Sequence, residues 1–415
     1  MSEWKSLSSI TSKIGSGSTP RGGNSVYSDS GISFIRSQNV LDMDFSTENL
    51  AFINDNQAEK LNNVIVEKND ILLNITGDSI ARCTVVPEEI LPARVNQHVS
   101  IIRCKNTEES KYVMYYLQYM KKYLLQISKV GGTRNALTKE AIGKLPIKIS
   151  DDCNKISKIL DNIDQKIHTN NQINQELEAM AKTLYDYWFV QFDFPDQNGK
   201  PYKSSGGKMV YHPELKREIP EGWGVEKLGE LAQFKNGINY EKTSSGSEKV
   251  KIINVRNISS SRIFINQTDL DEIFLENDKS TNFIVNEGMI LITRSGIPGA
   301  TRLVSELEAK TVYSGFIIAS EVNDLIYKNL IFYYLKNVEE VLKNQSAGTI
   351  MKNISQSVLT DMVVSLPPQN LLLKFNSIID NLLEQMKNVQ RQNQELTQLR
   401  DWLLPMLMNG QVKVE

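Results

Sequence analysis

Two stretches of the chain carry apolar residues at steps of three and four. In the first, Ile156, Ile159, Ile163, Ile167, Asn170, Asn174, Leu177, Ala181, Leu184 and Trp188 form one seam. In the second, Leu371, Phe375, Ile378, Leu382, Met386, Val389, Asn393, Leu396, Leu403 and Leu407 do the same. This spacing predicts two helices of roughly 40 residues with seams of the coiled-coil type. Both seams hold two successive steps of four, Ile159–Ile163–Ile167 and Ile378–Leu382–Met386. Such a stutter locally unwinds a supercoil. Asn174 and Asn393 fall on the seams at equivalent points, where a buried polar residue selects register at some cost in stability.

Ahead of each predicted helix the pattern changes. Short β-branched runs bounded by turn residues read as strands: Ile32 to Ile35, Asp70 to Leu73 and Val99 to Ile102 in one half, Val250 to Val255, Met289 to Ile292 and Phe316 to Ile318 in the other. Helical patches lie near Tyr112 to Leu125 and Leu330 to Leu342. Each half is therefore expected to be an α+β globular domain followed by a long helix. The intervening stretch 193–222 is rich in Pro, Gly, Ser and Lys and reads as an exposed connection.

The two halves are copies. Trp4 is answered by Trp223, Asn174-Gln175-Glu176-Leu177 by Asn393-Gln394-Glu395-Leu396, and Thr76-Gly77 by Ser295-Gly296, each 219 positions later. A period this long is a domain plus a helix, far beyond a solenoid repeat. Two such helices in one chain most naturally pair antiparallel, with the globular domains at opposite ends. At about 1.5 Å per residue the pair would form a ruler of roughly 60 Å.

Composition narrows the chemistry. Of 415 residues, 40% are apolar and 23% charged, as in soluble globular chains. No apolar run is long enough to span a bilayer, and MSEWKSLSSI lacks the apolar core of a signal peptide. Three cysteines (83, 104, 153) and three scattered histidines (98, 168, 212) give neither a disulfide framework nor a metal-ligand spacing. A cytoplasmic, metal-free protein is expected. The formal net charge of −2 does not advertise nucleic acid, although residues 1–150 carry 18 Lys and Arg against 15 Asp and Glu. Phosphate-cradling loops, nucleophile elbows and His-Glu-x-x-His are absent. Leu366-Pro367-Pro368-Gln369 fails at both ends as a methyltransferase box and reads as a rigid turn opening the second helix. The chain reads as a binding protein. No catalytic residue, and no cofactor bound by this chain, is expected.

With these pieces in place the whole chain resembles the specificity subunit of type I restriction–modification enzymes. The resemblance rests on KPYKSSGGKMV and LKREIPEGW (200–223), AKTLYDYWFVQFDF (181–194) and LRDWLLPMLMNGQVKV (399–414), with Ile35 to Val40, Asn96-Gln97-His98 and the Gly132-Thr133 turn concordant. It implies target-recognition domains at 1–151 and 223–367, conserved helices at 152–192 and 368–415, and a linker at 193–222. It implies double-stranded DNA and two modification subunits as partners, and two motor–nuclease subunits besides. S-adenosylmethionine and ATP would sit on the partners, and the target would be two short half-sites with a fixed unread gap. The alternative from another class is a coiled-coil scaffold that reads no DNA.

Base reading needs Arg, Asn, Gln or hydroxyl side chains near the duplex. Candidates in the first half are Thr19, Arg21, Arg36, Gln38, Asn39, Arg82, Asn96, Gln97, His98, Arg134 and Asn135. Those in the second are Lys235, Asn239, Arg256, Asn257, Arg294, Ser295, Arg302, Tyr313, Lys352 and Asn353. Taken singly, each is as readily an ordinary turn residue, and His98 is equally a satisfied core histidine. The Gly-rich bends around Arg134-Asn135 and Lys352-Asn353 recur in both halves. Tyr187, Trp188, Phe189, Trp402 and Leu407 form an apolar helix-end surface, open to internal packing or to partner docking.

Overall fold

The computed structural model describes residues 3–20, 22–129, 135–240, 246–276, 280–344 and 353–414. Contacts divide the chain into two units, residues 1–170 with 392–415, and residues 171–391. The division cuts through both long helices, so each unit combines one mixed domain with one stretch of each helix.

In the first unit, Thr11–Ser16, Val99–Cys104, Ile71–Asn74 and Cys83–Val85 form an antiparallel sheet in that order. A second sheet runs Ala51–Ile53, Ile32–Ile35, Ala93–Val95, Ile65–Val66, with Ile32–Ile35 parallel to Ala93–Val95. Every residue of Ile71–Asn74 is buried. Its side chains alternate between two cores: Ile71 and Leu73 face one with Ile102 and Tyr112, while Leu72 faces the other with Val99, Ile101 and Phe34. Burial on both faces explains a continuous apolar run where a half-exposed strand would alternate.

The second unit repeats the plan. Ala232–Asn236, Ile317–Val322, Ile290–Thr293 and Thr301–Leu303 make the antiparallel sheet. Glu248–Ile253 lies between Asp271–Leu275 and the parallel Thr311–Tyr313. Ile290 and Ile292 enter one core and Leu291 the other.

The helices span Cys153–Tyr185, extended by a π-helical turn Asp186–Val190, and Gln369–Asn409. They run antiparallel within each unit. In the first, Asp164 pairs with Arg400 at 2.8 Å and Asn170 bonds Asn393 at 2.8 Å. In the second, Phe189 meets the Phe375 ring edge-on at 4.7 Å between centroids, and Leu177 shares a core with Leu382 and Met386. The expected α+β halves, long helices and antiparallel pairing are what the fold contains.

Two readings of detail change. The fully buried seam asparagine is Asn170, while Asn174 is only half-buried. Trp4 and Trp223 are not structural counterparts. Leu7 donates its N–H to Leu145 O at 2.8 Å as Leu228 does to Met362 O at 2.8 Å, which places Trp4 opposite Val225. Loop length changes shift the offset along the chain, so a matched letter does not guarantee a matched site. Trp4 is accordingly exposed, whereas Trp223 is buried beneath Phe192 and Phe194. The connection is exposed over most of its length but anchored. Asp193 accepts the backbone N–H and hydroxyl of Ser204 at 2.7 and 2.6 Å, and Met209–His212 pairs with Arg217–Pro220.

Candidate DNA interface

Strand direction gathers the polar loops of the first domain at one edge. The parallel strands Ile32–Ile35 and Ala93–Val95 end side by side, and Asn96 N–H donates to Ile35 O at 2.9 Å. Val99–Cys104 begins at that edge. Its antiparallel partners therefore finish there, with Asn74 opposite Val99 and Ser16 opposite Ser100. Gly17 N–H then bonds Val99 O at 2.9 Å, Ser18 N–H bonds Val95 O at 3.1 Å, and Ile75 N–H bonds His98 O at 3.0 Å. Leu137 N–H closes on Ile75 O at 2.9 Å. Segments 17–19, 36–39, 75–77, 96–98 and 135–137 are thus one surface.

Gly17 is required by this crossing. A Cβ there would lie 2.1 Å from Val95 O, inside any real contact. Gly237 stands at the same crossing in the second unit, where a Cβ would lie 2.3 Å from Tyr313 O. The bonds repeat as well: Gly237 to Ile317 at 3.0 Å, Ile238 to Tyr313 at 2.9 Å, Ser314 to Ile253 at 3.0 Å, and Arg294 to Phe316 at 2.8 Å. Gly77 and Gly296 both adopt positive φ, 77° and 80°, in the turn beside it.

The candidates divide by what already holds them. Asn39 is fully buried. Its Oδ1 accepts Arg36 N–H at 3.0 Å, and its amide donates to Ser46 O at 2.9 Å. Asn257 repeats this, accepting Asn254 N–H at 2.8 Å and donating to Asp269 O at 2.8 Å. Arg302 is buried, its Nη1 2.8 Å from Glu339 and its Nε donating to Ser261 O at 2.6 Å. Tyr313 is buried, its hydroxyl 3.4 Å from Lys235 O, and burial pushes its phenol up to about 12. Asn96 is buried and accepts His98 N–H at 3.1 Å. Arg256 is exposed but bridges Asp269 and Asp271, and Lys235 pairs with Glu321 at 2.7 Å.

The others face outward. Thr19, Gln38, Gln97, Asn135, Asn239 and Asn353 are exposed; Arg36, Arg82, His98, Arg294 and Ser295 are half-buried. The Arg36 guanidinium donates to Asn49 O at 2.6 Å and lies 5.6 Å over the Tyr27 ring. His98 Nδ1 is 2.6 Å from Thr76 Oγ1, and its Nε2 is 3.4 Å from the Gln97 amide nitrogen. Arg294 donates to Gly315 O at 3.1 Å. Arg21, Arg134 and Lys352 lie outside the described residues.

On the helix ends, Trp188, Phe189 and Leu407 are buried, whereas Trp402 is exposed and Tyr187 borders on it. Polar letters alone overlooked Phe316, which projects 63% exposed at the same edge as Arg294 and Asn239. The signal available was its place beside Gly315, opposite His98. Among the described residues, no helix is long and apolar enough to cross a membrane, and no group of three or more His, Cys, Asp or Glu could hold a metal ion.

Comparison with known proteins fits this duplicated plan. The profile of the "Type I restriction modification DNA specificity domain" matches twice, at residues 1–179 and 220–398. The type I restriction enzyme MjaIX specificity subunit of Methanocaldococcus jannaschii is 28% identical over 336 residues, 78% of this chain and 74% of that protein. The HindI specificity subunit of Haemophilus influenzae is 24% identical over 347 residues, 68% of this chain and 72% of that protein. The crystal structure of a type I restriction–modification S subunit from M. genitalium superposes with a TM-score of 0.53 at 14% identity, covering 98% of this chain and 96% of that one. A duplicated domain, two long helices and two matches to one family profile lead to one conclusion: this chain belongs to the type I restriction–modification DNA specificity family.

Proposed function

We propose that this chain is the DNA-reading subunit of a type I restriction–modification complex. Residues 1–151 and 223–367 act as target-recognition domains, each reading one half of a split target. The helices, 152–192 and 368–415, set the unread gap and help dock two modification subunits, and 193–222 links the halves. The observation that carries this reading is the twice-built edge, where five chain segments converge on Gly17 and again on Gly237.

Within that edge, Gln97, Gln38, Thr19 and Asn135 of the first domain and Asn239 and Asn353 of the second are the exposed side chains placed to meet bases or phosphates, while Arg294 holds the turn through Gly315 O. His98 joins them through Gln97. Arg21, Arg134 and Lys352, which lie outside the described residues, are proposed from their sequence positions as sources of phosphate-binding charge. Asn39, Asn257 and Arg302 serve by holding the loops in shape. The differing chemistry at matched positions, His98 against Phe316, suits two domains that read different sequences.

The chain itself is non-catalytic and binds no cofactor in this reading. Adenine methylation requires the base to leave the stack, which occurs in the modification subunits carrying S-adenosylmethionine. Two motor–nuclease subunits using ATP cleave unmodified DNA, and the complex works in the cytoplasm. Co-expression with a type I modification subunit in a methylation-free host, followed by genome-wide methyladenine mapping, tests this. A split motif with a fixed gap is expected. Methylation that tracks no such motif, or none from a stable complex, overturns it in favour of a scaffold.

A further inference from the structure

We propose that Phe316 reads the 5-methyl group of a thymine in the half-site of the second recognition domain. The proposal rests on the DNA-reading function above and names one contact within it.

Phe316 is 63% exposed, although a Phe side chain gains most from burial. Its backbone is held by hydrogen bonds on both sides. Gly315 N–H donates to Ile238 O at 2.7 Å, Gly315 O accepts Arg294 Nη1 at 3.1 Å, Phe316 O accepts Arg294 N–H at 2.8 Å, and Ile317 N–H bonds Ser314 O at 2.9 Å. The ring is held out from a stiff turn on the edge where the polar candidates converge. The same Arg294 bond draws in the turn 294–299, whose tip carries Ile297, 42% exposed. Two apolar side chains therefore interrupt an otherwise polar rim. A single exposed hydrophobe needs no explanation; a fixed pair inside a proposed recognition edge does.

The matched position in the first domain is His98, a hydrogen-bonding ring. Phe316 replaces it with a group that can neither donate nor accept. The apolar feature of a base edge in the major groove is the thymine methyl, and apolar side chains contact it. Arg294 does not compete for that contact, because its guanidinium is turned to Gly315 O.

The test uses the full complex with a modification subunit and a duplex of the mapped target. Thymines of the second half-site are replaced singly by deoxyuridine, which removes the methyl and keeps the pairing. At one position the replacement should weaken binding about fourfold, as expected for one buried methyl. Phe316→Ala should be blind to that replacement and accept other bases there, while its first half-site stays unchanged. Phe316→Leu, which keeps an apolar side chain, should retain the preference and show that the turn is intact. A second half-site without thymine overturns the proposal. So does uracil tolerated throughout, or a Phe316→Ala variant that loses affinity equally for both duplexes. Failure of the wild-type complex to bind any split target would instead indict the proposed function.

Discussion

Asn170 donates its side-chain N–H to Asn393 Oδ1 at 2.8 Å, and to Gln392 Oε1 at 2.7 Å, from a fully buried position on the helix seam. An apolar residue would pack at several registers, but an amide must meet its acceptors. Asn170→Ala removes both bonds, and because Gln392 is exposed and Asn393 half-buried the loss should be about 0.5–1.5 kcal/mol. For a unit of this size that is a fall in melting temperature of roughly 2–4 °C per kcal/mol, read by calorimetry. An unchanged transition would mean that the bonds are replaced by water.

Gly17 and Gly237 hold the crossings on which both recognition edges are built. Alanine at either meets backbone oxygen, which cannot swing away as a side-chain tip would. Each substitution should destabilise its own domain by about 1–3 kcal/mol through overpacking. Gly17→Ala should weaken discrimination in the first half-site and Gly237→Ala in the second. Thermal unfolding together with methylation maps would check both.

Arg302 offers a test of structure against contact. Its partner Glu339 is 1% exposed, with Lys336 3.6 Å away. Arg302→Ala should destabilise by about 3–5 kcal/mol, because it leaves a buried carboxylate short of charge. The double change Arg302→Met with Glu339→Leu should restore most of the stability. A salt dependence of DNA binding identical to wild type in that double variant is expected; a shallower slope would mean that Arg302 reaches a phosphate.

All three thiols are buried. Burial pushes Cys83 up from 9.0 to about 12 and Cys104 up to about 11. The thiolate is the reactive form, so native protein at pH 8 should resist iodoacetamide until unfolded. The folded state holds these protons more tightly than the unfolded one. Stability is therefore intact below pH 9 and falls as pH rises toward 11 to 12, by up to about 1.4 kcal/mol per pH unit for each thiol. Denaturant titrations at pH 8 and 10 would show the loss; rapid alkylation at pH 8 would contradict it.

Gln97 is exposed beside His98 at the first edge. Gln97→Ala should relax one base position of the first half-site, worth about 1–3 kcal/mol if the amide reads a base edge. The second half-site and the folding transition should be untouched. A uniform loss across both half-sites would assign Gln97 to general affinity.

Much of this was legible in order and spacing. The repeat, the two long helices and the mixed domains ahead of them follow from periodicity, which is local and survives translation into structure. The candidate edge was legible only in part. Gln97 and Asn239 emerge where their loops suggested, because turn residues between strands end at sheet edges. Asn39 and Asn257 carry the chemistry of base readers yet close their own turns, and Arg302 is drawn inward by Glu339, 37 positions away. Whether a polar side chain is already satisfied depends on partners that no local window contains.

The sequence by itself determined that the chain is built twice, where its helices run and which segments are turns, since these depend on residues a few positions apart. Only the tertiary structure decided which asparagine locks the seam, that Trp4 answers to Val225 and not to Trp223, and that an aromatic ring stands among the polar groups of the second edge. Those outcomes depend on strand pairing between residues tens to hundreds of positions apart, where loop lengths shift the register and burial chooses among equally polar side chains.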